Sequence, residues 1–184
     1  MFITDGGQRI ELVRASPDGV RLLEWAFDRF ASAGLDEPDI HRVHFGDETR
    51  ACDARSGWAD VTDRGVEIAI CATADDLCRD GTGTALATAA KFCALHELSH
   101  GWLIEHATEA VRSAFLDHAG LEVWYAGDET PWHRRGAEYA AEVVAWGLMD
   151  KPLRLIRIES PDCDHLEAGF HLLTEARPLV RCDP

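Results

Sequence analysis

The segment Leu95-His96-Glu97-Leu98-Ser99-His100 constrains this chain more than any other, because it predicts both a helix and a chemistry. Residues four apart on an α-helix lie on one face about one turn apart, so His96 and His100 can direct their imidazoles at a single point. Two neutral imidazoles form half of a tetrahedral zinc site. Glu97 stands beside the first of them, where a general base can act on water activated by the metal. This interpretation requires that the segment is helical and that a third ligand exists.

The sequence around the motif meets the helical condition. No proline occurs from Thr84 to Ile104, and the run is rich in Ala and Leu, which are strong helix formers. Thr82 or Thr84 can cap the start of this helix. We therefore predict a metal-binding helix, with the motif in its C-terminal half. The alternative is a metal-free helical domain whose two histidines only hydrogen-bond to their neighbours.

Length and composition indicate one domain over residues 1–184. The chain is 46% hydrophobic, and no linker or repeat divides it. The net charge of −15 disfavours nucleic acid and anionic membrane surfaces as partners, because both would repel the chain. With no signal-like start and no apolar run of membrane-spanning length, we expect a cytoplasmic protein. Most of the six cysteines should then be free thiols, although Cys52 and Cys71 flank a hairpin and could bridge.

The order of the predicted elements indicates an α+β fold in which a small antiparallel sheet packs on helices. Apolar residues at helical spacing, alternating strands and turn residues mark the boundaries. The predicted elements are a helix at 16–34, a strand at 40–45, a hairpin at 57–71, the motif helix at 84–104, and helices at 108–118, 131–149 and 161–173, the last capped by Ser160.

Two residues compete for the third ligand position. Glu138 and Glu142 lie four apart on a helical face that is otherwise apolar, and two carboxylates there need a cation or hydrogen-bond donors. Zinc supplies that cation to Glu138, and Glu142 can then accept the N–H of a ligand histidine. The rival ligand is His106, six residues after His100. A third alternative is a site with no further protein ligand.

With these residues the chain resembles the gluzincin branch of the zincin metallopeptidases, the thermolysin-like peptidases. They combine His-Glu-x-x-His on one helix with a glutamate ligand on a later helix. The resemblance implies zinc bound by His96, His100 and Glu138, with Glu97 as the base and Glu142 supporting a ligand histidine. It also implies a minimal zincin core. The motif, with the segment from Arg135 to Trp146, more loosely looks like small uncharacterised actinobacterial metallopeptidases.

The rival ligand His106 has the spacing of the third histidine in another zincin branch, the metzincins. Leu103 stands where that branch has the glycine that turns the chain toward the metal. Gly101 comes too early to do the same. The sequence therefore favours Glu138, with His106 kept as the alternative.

The function expected from these residues is a zinc-dependent hydrolase that acts on a peptide or protein substrate. The oxyanion formed during attack needs a hydrogen-bond donor in addition to the metal. His133 is the preferred candidate, and Tyr125, Tyr139 and Arg135 are the others. The alternative function is a zinc-binding regulatory or interaction module without turnover; a base at Glu97 favours catalysis, because a ligand-only site does not need one.

Overall fold

The computed structural model describes residues 1–46, 57–71, 88–127, 129–152 and 162–181. These residues form a five-stranded sheet, five α-helices and one turn of 3-10 helix at Trp132–Arg134. The predicted α+β class is confirmed. The strands are β1 (Phe2–Ile3), β2 (Arg9–Val13), β3 (Ile40–Phe45), β4 (Gly57–Thr62) and β5 (Gly65–Ile70). The helices are α1 (Pro17–Ser32), α2 (Thr88–His106), α3 (Glu109–Ala119), α4 (Gly136–Leu148) and α5 (Cys163–Thr174).

The sheet is mixed, so the prediction of an antiparallel sheet is wrong. In the order β1-β2-β3-β5-β4, the pairs β2–β3 and β3–β5 are parallel, whereas the edge strands β1 and β4 pair antiparallel with their neighbours. The β2–β3 pair is parallel because α1 lies between the two strands and carries the chain back along the sheet. Strands β1 and β2 were not predicted from the sequence. Only a hairpin and one neighbouring strand were expected, so the β2–α1–β3 crossover was missed.

Helix α1 begins and ends where its sequence predicts. Ser16 Oγ accepts a hydrogen bond from the Gly19 N–H, and Pro17 lies in the first turn. Gly34 follows the helix with a φ of +73°, which L side chains rarely adopt. The buried face of α1 belongs to the same hydrophobic core as the strands.

The C-terminal end of α1 is hydrogen-bonded to the C-terminal end of α4. Arg29 donates hydrogen bonds to the carbonyls of Leu148 and Met149, at 2.7 and 3.2 Å. These carbonyls lie at the C-terminus of α4, where helices leave acceptors without intrahelical partners. The helix whose first turn carries Glu138 is thereby fixed at its far end.

Helix α2 is packed between the sheet and α4. At Gly101 the helix approaches the sheet so closely that an added β-carbon would lie 2.3 Å from Cδ1 of Ile40 in β3. A larger residue there would force the end of the Ile40 side chain to move. The helix continues to His106, beyond the predicted end at Ile104. The proposed capping threonines at 82 and 84 lie outside the described residues.

Side-chain caps also begin α3 and α5. Thr108 Oγ1 accepts a hydrogen bond from the Val111 N–H at 3.3 Å, at the start of the helix predicted for 108–118. Asp162 Oδ1 accepts one from the His165 N–H at 2.9 Å, so Asp162 is the cap of α5. The predicted cap, Ser160, lies outside the described residues.

The cysteines differ from the prediction. Cys71 and Cys163 each take part in a disulfide bond, whereas Cys93 keeps a thiol. The expectation of a free thiol is therefore wrong for Cys163, whereas Cys71 was a candidate for bridging with Cys52, which lies outside the described residues. Because disulfides are rare in a reducing cytoplasm, this finding does not favour the predicted location. Within the part of the chain that the structure describes, no helix is long and apolar enough to cross a membrane.

Candidate metal centre

The two motif histidines converge from successive turns of α2. Their Nε2 atoms lie 3.1 Å apart, and the rings meet nearly edge to face at 86°. His96 is buried, and His100 is partly exposed. The helical condition is met, and the two nitrogens point to one place as the spacing predicts.

Glu138 contributes a third atom from the first turn of α4. Its Oε2 lies 3.2 Å from Nε2 of each motif histidine. The start of α4 is fixed by backbone hydrogen bonds from the Gly136 N–H to the Val123 carbonyl and from the Ala137 N–H to the Trp124 carbonyl. A β-carbon on Gly136 would lie 2.8 Å from the Val123 oxygen, so this close approach requires glycine.

These three atoms have the spacing that a tetrahedral metal needs. They form a nearly equilateral triangle with sides of 3.1, 3.2 and 3.2 Å. Three tetrahedral ligands at zinc–nitrogen and zinc–oxygen distances lie about 3.3–3.6 Å apart, so small side-chain rotations suffice to accommodate the ion. Among the residues that the structure describes, no other group of His, Cys, Asp or Glu side chains converges in this way. The trio can therefore hold a metal ion.

Glu142 lies on the opposite side of the His96 ring. Its Oε2 is 3.1 Å from Nδ1 of His96, and the Glu142 side chain is almost fully buried. The contact is a close ion pair, although its alignment falls short of a regular hydrogen bond. A proton held on Nδ1 toward Glu142 leaves the Nε2 lone pair for a metal. The supporting position predicted for Glu142 is thus the one that it occupies.

The charges of these side chains favour a bound cation. Burial by itself lowers the pKa of His96, but contacts with Glu138 and Glu142 and the nearby charge of Glu97 raise it to about 10. Burial raises the pKa of Glu138, and hydrogen bonds from His100 and His96 reverse this and hold it well below its usual range. Glu138 is therefore ionised, and the carboxylates around His96 favour a positive charge on its ring.

Glu97 lies beside the trio but faces the strand β4. It is 3% exposed, and its side chain packs against Gly57 at the start of β4. Glu97 nevertheless lines the same cavity as the three candidate ligands. The motif thus separates its roles in space: the two imidazoles turn toward α4, and the carboxylate between them turns toward the sheet.

A cavity of about 690 Å³ opens onto this cluster. Its lining includes β4 from Gly57 to Val61 and the C-terminal half of α2. Aromatic side chains from the segment before α4 complete it, namely Trp124, Tyr125 and Trp132. The Trp132 ring also stacks on His96, with ring centroids 5.8 Å apart. The candidate metal position is therefore open to a molecule much larger than water.

The structure separates the four candidate oxyanion donors. His133 is exposed and is not among the residues that line the cavity, so the structure does not bring the preferred donor to the site. Tyr139 is buried against Phe115, at a ring-centroid distance of 5.9 Å. Tyr125 and Arg135 do line the cavity.

The rival ligand His106 lies away from the trio. Because α2 continues without a turn, six residues separate His106 from His100 by about 9 Å along the helix axis. The His106 ring stacks on Trp102, with centroids 4.5 Å apart, and its Nε2 lies 3.6 Å from the Glu105 carboxylate. In this structure His106 is a packing residue at a helix end.

Sequence reasoning missed two residues at the site. Gly57 was predicted only as part of a hairpin, and Trp132 only as part of a helix. A glycine opening an edge strand is a known signal of close approach by another group, but it does not tell which group approaches. The stacking of Trp132 on His96 depends on the path of residues 120–135, which shows no periodic pattern.

Comparisons with family models, with curated proteins and with solved structures found no match to this chain. The interpretation of the site therefore depends on its own geometry. That geometry is consistent with a zinc site of the His-Glu-x-x-His type with a downstream glutamate.

Proposed function

We propose that this protein is a zinc-dependent hydrolase that cleaves peptide bonds. The observation that supports the proposal best is the convergence of His96, His100 and Glu138 at the edge of a cavity that Glu97 also lines. Two imidazoles and one carboxylate leave a fourth tetrahedral position for water or substrate, as in catalytic zinc sites. That position has access to the cavity.

Zinc is the metal that this set of donors favours. Imidazole nitrogens suit zinc and neighbouring transition metals better than magnesium or calcium, and the spacing of the trio suits a tetrahedral ion. A zinc ion held by His96, His100 and Glu138 would supply a Lewis acid that activates water for attack on a carbonyl. The remaining chemistry is assigned to side chains of this chain.

Glu97 is the base in this proposal. Its carboxylate accepts the proton of the attacking water and can return it to the leaving amine, because it lies in the cavity without being one of the three ligands. The small exposed fraction of Glu97 keeps the carboxylate away from competing solvent. Tyr125 or Arg135 is the proposed donor to the oxyanion, since both line the cavity and His133 does not.

The strand β4 supports a peptide as the substrate. β4 pairs with β5 on one side, and no described strand pairs with its other edge. Five consecutive residues of β4 line the cavity, so an extended peptide can add to this edge through backbone hydrogen bonds. Such binding recognises the main chain and places a peptide carbonyl in the cavity that contains the trio.

The proposal is tested by metal analysis and by peptide cleavage. We expect the purified protein to hold one zinc ion per chain. We also expect it to cleave members of a mixed peptide library, and the Glu97→Gln variant to retain the metal but to react about 10²–10⁴-fold more slowly. Glu105→Gln on the exposed side of the same helix is the matched control, and should retain both metal and activity.

Three results would contradict the proposal or a part of it. A protein that binds no zinc after reconstitution excludes the metal site itself. A protein that binds zinc but leaves the library intact supports the alternative function, a zinc-binding interaction module without turnover. Equal cleavage rates for wild type and Glu97→Gln would remove Glu97 from its assigned role.

A further inference from the structure

Gly57 lies so close to Glu97 that no residue with a β-carbon fits at position 57 without a shift of the surrounding atoms. A β-carbon built on Gly57 would lie 2.2 Å from Oε1 of Glu97, 2.5 Å from Cδ and 2.6 Å from Cγ. Non-bonded carbon atoms prefer separations of about 3.5–4.0 Å, so all three contacts are collisions. The space that a side chain at 57 would fill is occupied by the Glu97 side chain.

The glycine is not required by the backbone. Gly57 is not among the residues with positive φ, and it pairs with Ile70 in the regular β4–β5 ladder. An L-residue could adopt this conformation without strain. The close contact with Glu97 is therefore the observation that accounts for glycine at this position.

Glu97 cannot avoid an added methyl group by a small movement of its carboxylate. The collision includes Cγ, so the side chain must rotate about its Cα–Cβ bond or β4 must shift. The backbone of α2 cannot retreat readily from β4, because α4 packs against its other side. The Glu97 carboxylate is thus the part of the structure that can move.

We propose that Gly57 is a positioning residue: its missing side chain determines where the Glu97 carboxylate lies relative to the two motif histidines. The inference rests on the proposed function for its catalytic consequence, since it assigns Gly57 to the placement of the proposed base. It does not involve the metal ligands. A methyl group at 57 should displace the base while leaving His96, His100 and Glu138 in place.

The first test is the Gly57→Ala variant of the full chain. We expect it to bind one zinc ion per chain. For a library peptide that wild type cleaves, we expect its KM to change little. Its kcat should fall about 100-fold, because a displacement of about 1 Å has that effect on oriented groups. A crystal structure of the variant should show the Glu97 carboxylate displaced by at least about 1 Å. An unchanged kcat, or a carboxylate in its original place, overturns the proposal.

Gly6→Ala is the matched control. A β-carbon on Gly6 would lie 2.6 Å from Oε2 of Glu37, so this change also forces a methyl group onto a glutamate. Gly6 follows β1, at the opposite end of the sheet from β4. We expect Gly6→Ala to retain wild-type kcat, KM and zinc content. A loss of kcat equal to that of Gly57→Ala would mean that the effect is a general result of crowding, and the proposal would be wrong.

A stability cycle tests the contact without any substrate. Gly57→Ala should lower Tm in the wild-type background but not in the Glu97→Ala background, where the methyl group has room. If Gly57→Ala alone fails to fold, the variant that combines Gly57→Ala with Glu97→Ala is still informative. Folding of this double variant supports the contact, whereas failure of both variants to fold refutes it. If wild type cleaves no peptide, the proposed function fails, whereas the crystal structure and this cycle still decide the position of Glu97.

Discussion

In the part of the chain that the structure describes, two clusters combine histidine with more than one carboxylate, and one of these two also contains an arginine. The sheet cluster lies across β2, β3 and β5, and comprises Glu11, Arg42, His44 and Glu67. There Arg42 binds the carboxylates of Glu11 at 2.7 Å and Glu67 at 3.0 Å. The site cluster lies between α2 and α4, and comprises His96, His100, Glu138 and Glu142. Within the described residues, the ion-pair partners of its two glutamates are histidines.

This difference distinguishes the candidate metal site from an ordinary ion-pair network. Arginine neutralises two glutamates permanently and at the surface, so the sheet cluster needs no further ligand. The site cluster is more deeply buried, and its positive charge depends on protons that imidazole can release. Two carboxylates in such a place require a cation, and three converging ligand atoms provide a position for one.

The largest difference between the clusters should be seen when one glutamate of each is removed. We expect Glu138→Ala to lose zinc, because one of three ligand atoms is gone, and Glu67→Ala to retain one zinc ion per chain. Metal content after dialysis, measured by mass spectrometry, decides between them. His106→Ala tests the ligand assignment further. If zinc survives Glu138→Ala and disappears from His106→Ala, the assignment of Glu138 is wrong.

A smaller effect is expected from the glutamate that supports His96 without binding metal. Glu142→Gln keeps the size of the side chain but removes its charge, so zinc affinity should fall about 10–100-fold. Competition with a chelator of known affinity measures the change. Glu105→Gln serves as the control on an exposed part of α2. An unchanged affinity in Glu142→Gln would show that the contact with Nδ1 of His96 does not assist metal binding.

The parts of the site that were predictable are those that depend on spacing within one helix. The four-residue separation of His96 and His100 determines their convergence once α2 forms. The pair Glu138 and Glu142 was recognisable because two carboxylates on an apolar helical face require an explanation. Both inferences used only the helical repeat, which any sequence displays directly.

The parts that were missed depend on contacts between elements distant in the chain. The parallel pairing of β2 with β3 involves a strand of only five residues that was not predicted, so the sheet was wrongly expected to be antiparallel. The contact between Gly57 and Glu97 spans forty residues, and glycine has no side chain to suggest its partner. His133 was preferred as a donor because it is near Glu138 in sequence, but a single turn of 3-10 helix leaves it exposed.

The protons of the site cluster should make zinc binding depend on pH. Burial opposes the charge on His96, but Glu138 and Glu142 raise its pKa to about 10, so zinc must displace a proton at pH 7. Zinc affinity should therefore rise by up to about tenfold per pH unit toward that value. The stabilisation that charged His96 gives the zinc-free protein is complete below pH 6.5, the ordinary pKa, and is lost as pH rises through about 10. Calorimetry at pH 7 in two buffers with different ionisation enthalpies measures the number of protons released when zinc binds. Zinc binding without proton release would contradict the prediction.

The smallest effect is expected in the sheet cluster, where removal of the arginine should leave the metal site untouched. The hydrogen bond from Arg42, acting against desolvation, lowers the pKa of Glu11 from its ordinary value of 4.5. The stabilisation from this carboxylate is therefore present above pH 4.5 and is lost as pH falls through its lowered pKa. Because the pair is exposed to solvent and salt, we expect Arg42→Gln to lower Tm by at most about 3 °C at neutral pH. The difference in Tm from wild type should shrink in 1 M NaCl, where the screening length is about 3 Å.

Zinc content provides the decisive comparison for Arg42→Gln. The variant should retain one zinc ion per chain, since Glu11 and Glu67 do not contact the trio in α2 and α4. Arg42→Lys is the matched variant, because it keeps the charge but cannot bind both glutamates through a planar guanidinium. Its Tm should lie between those of wild type and Arg42→Gln. A loss of zinc from Arg42→Gln would show that the two clusters are coupled through the sheet, and the distinction between a permanent ion-pair network and a metal site would have to be given up.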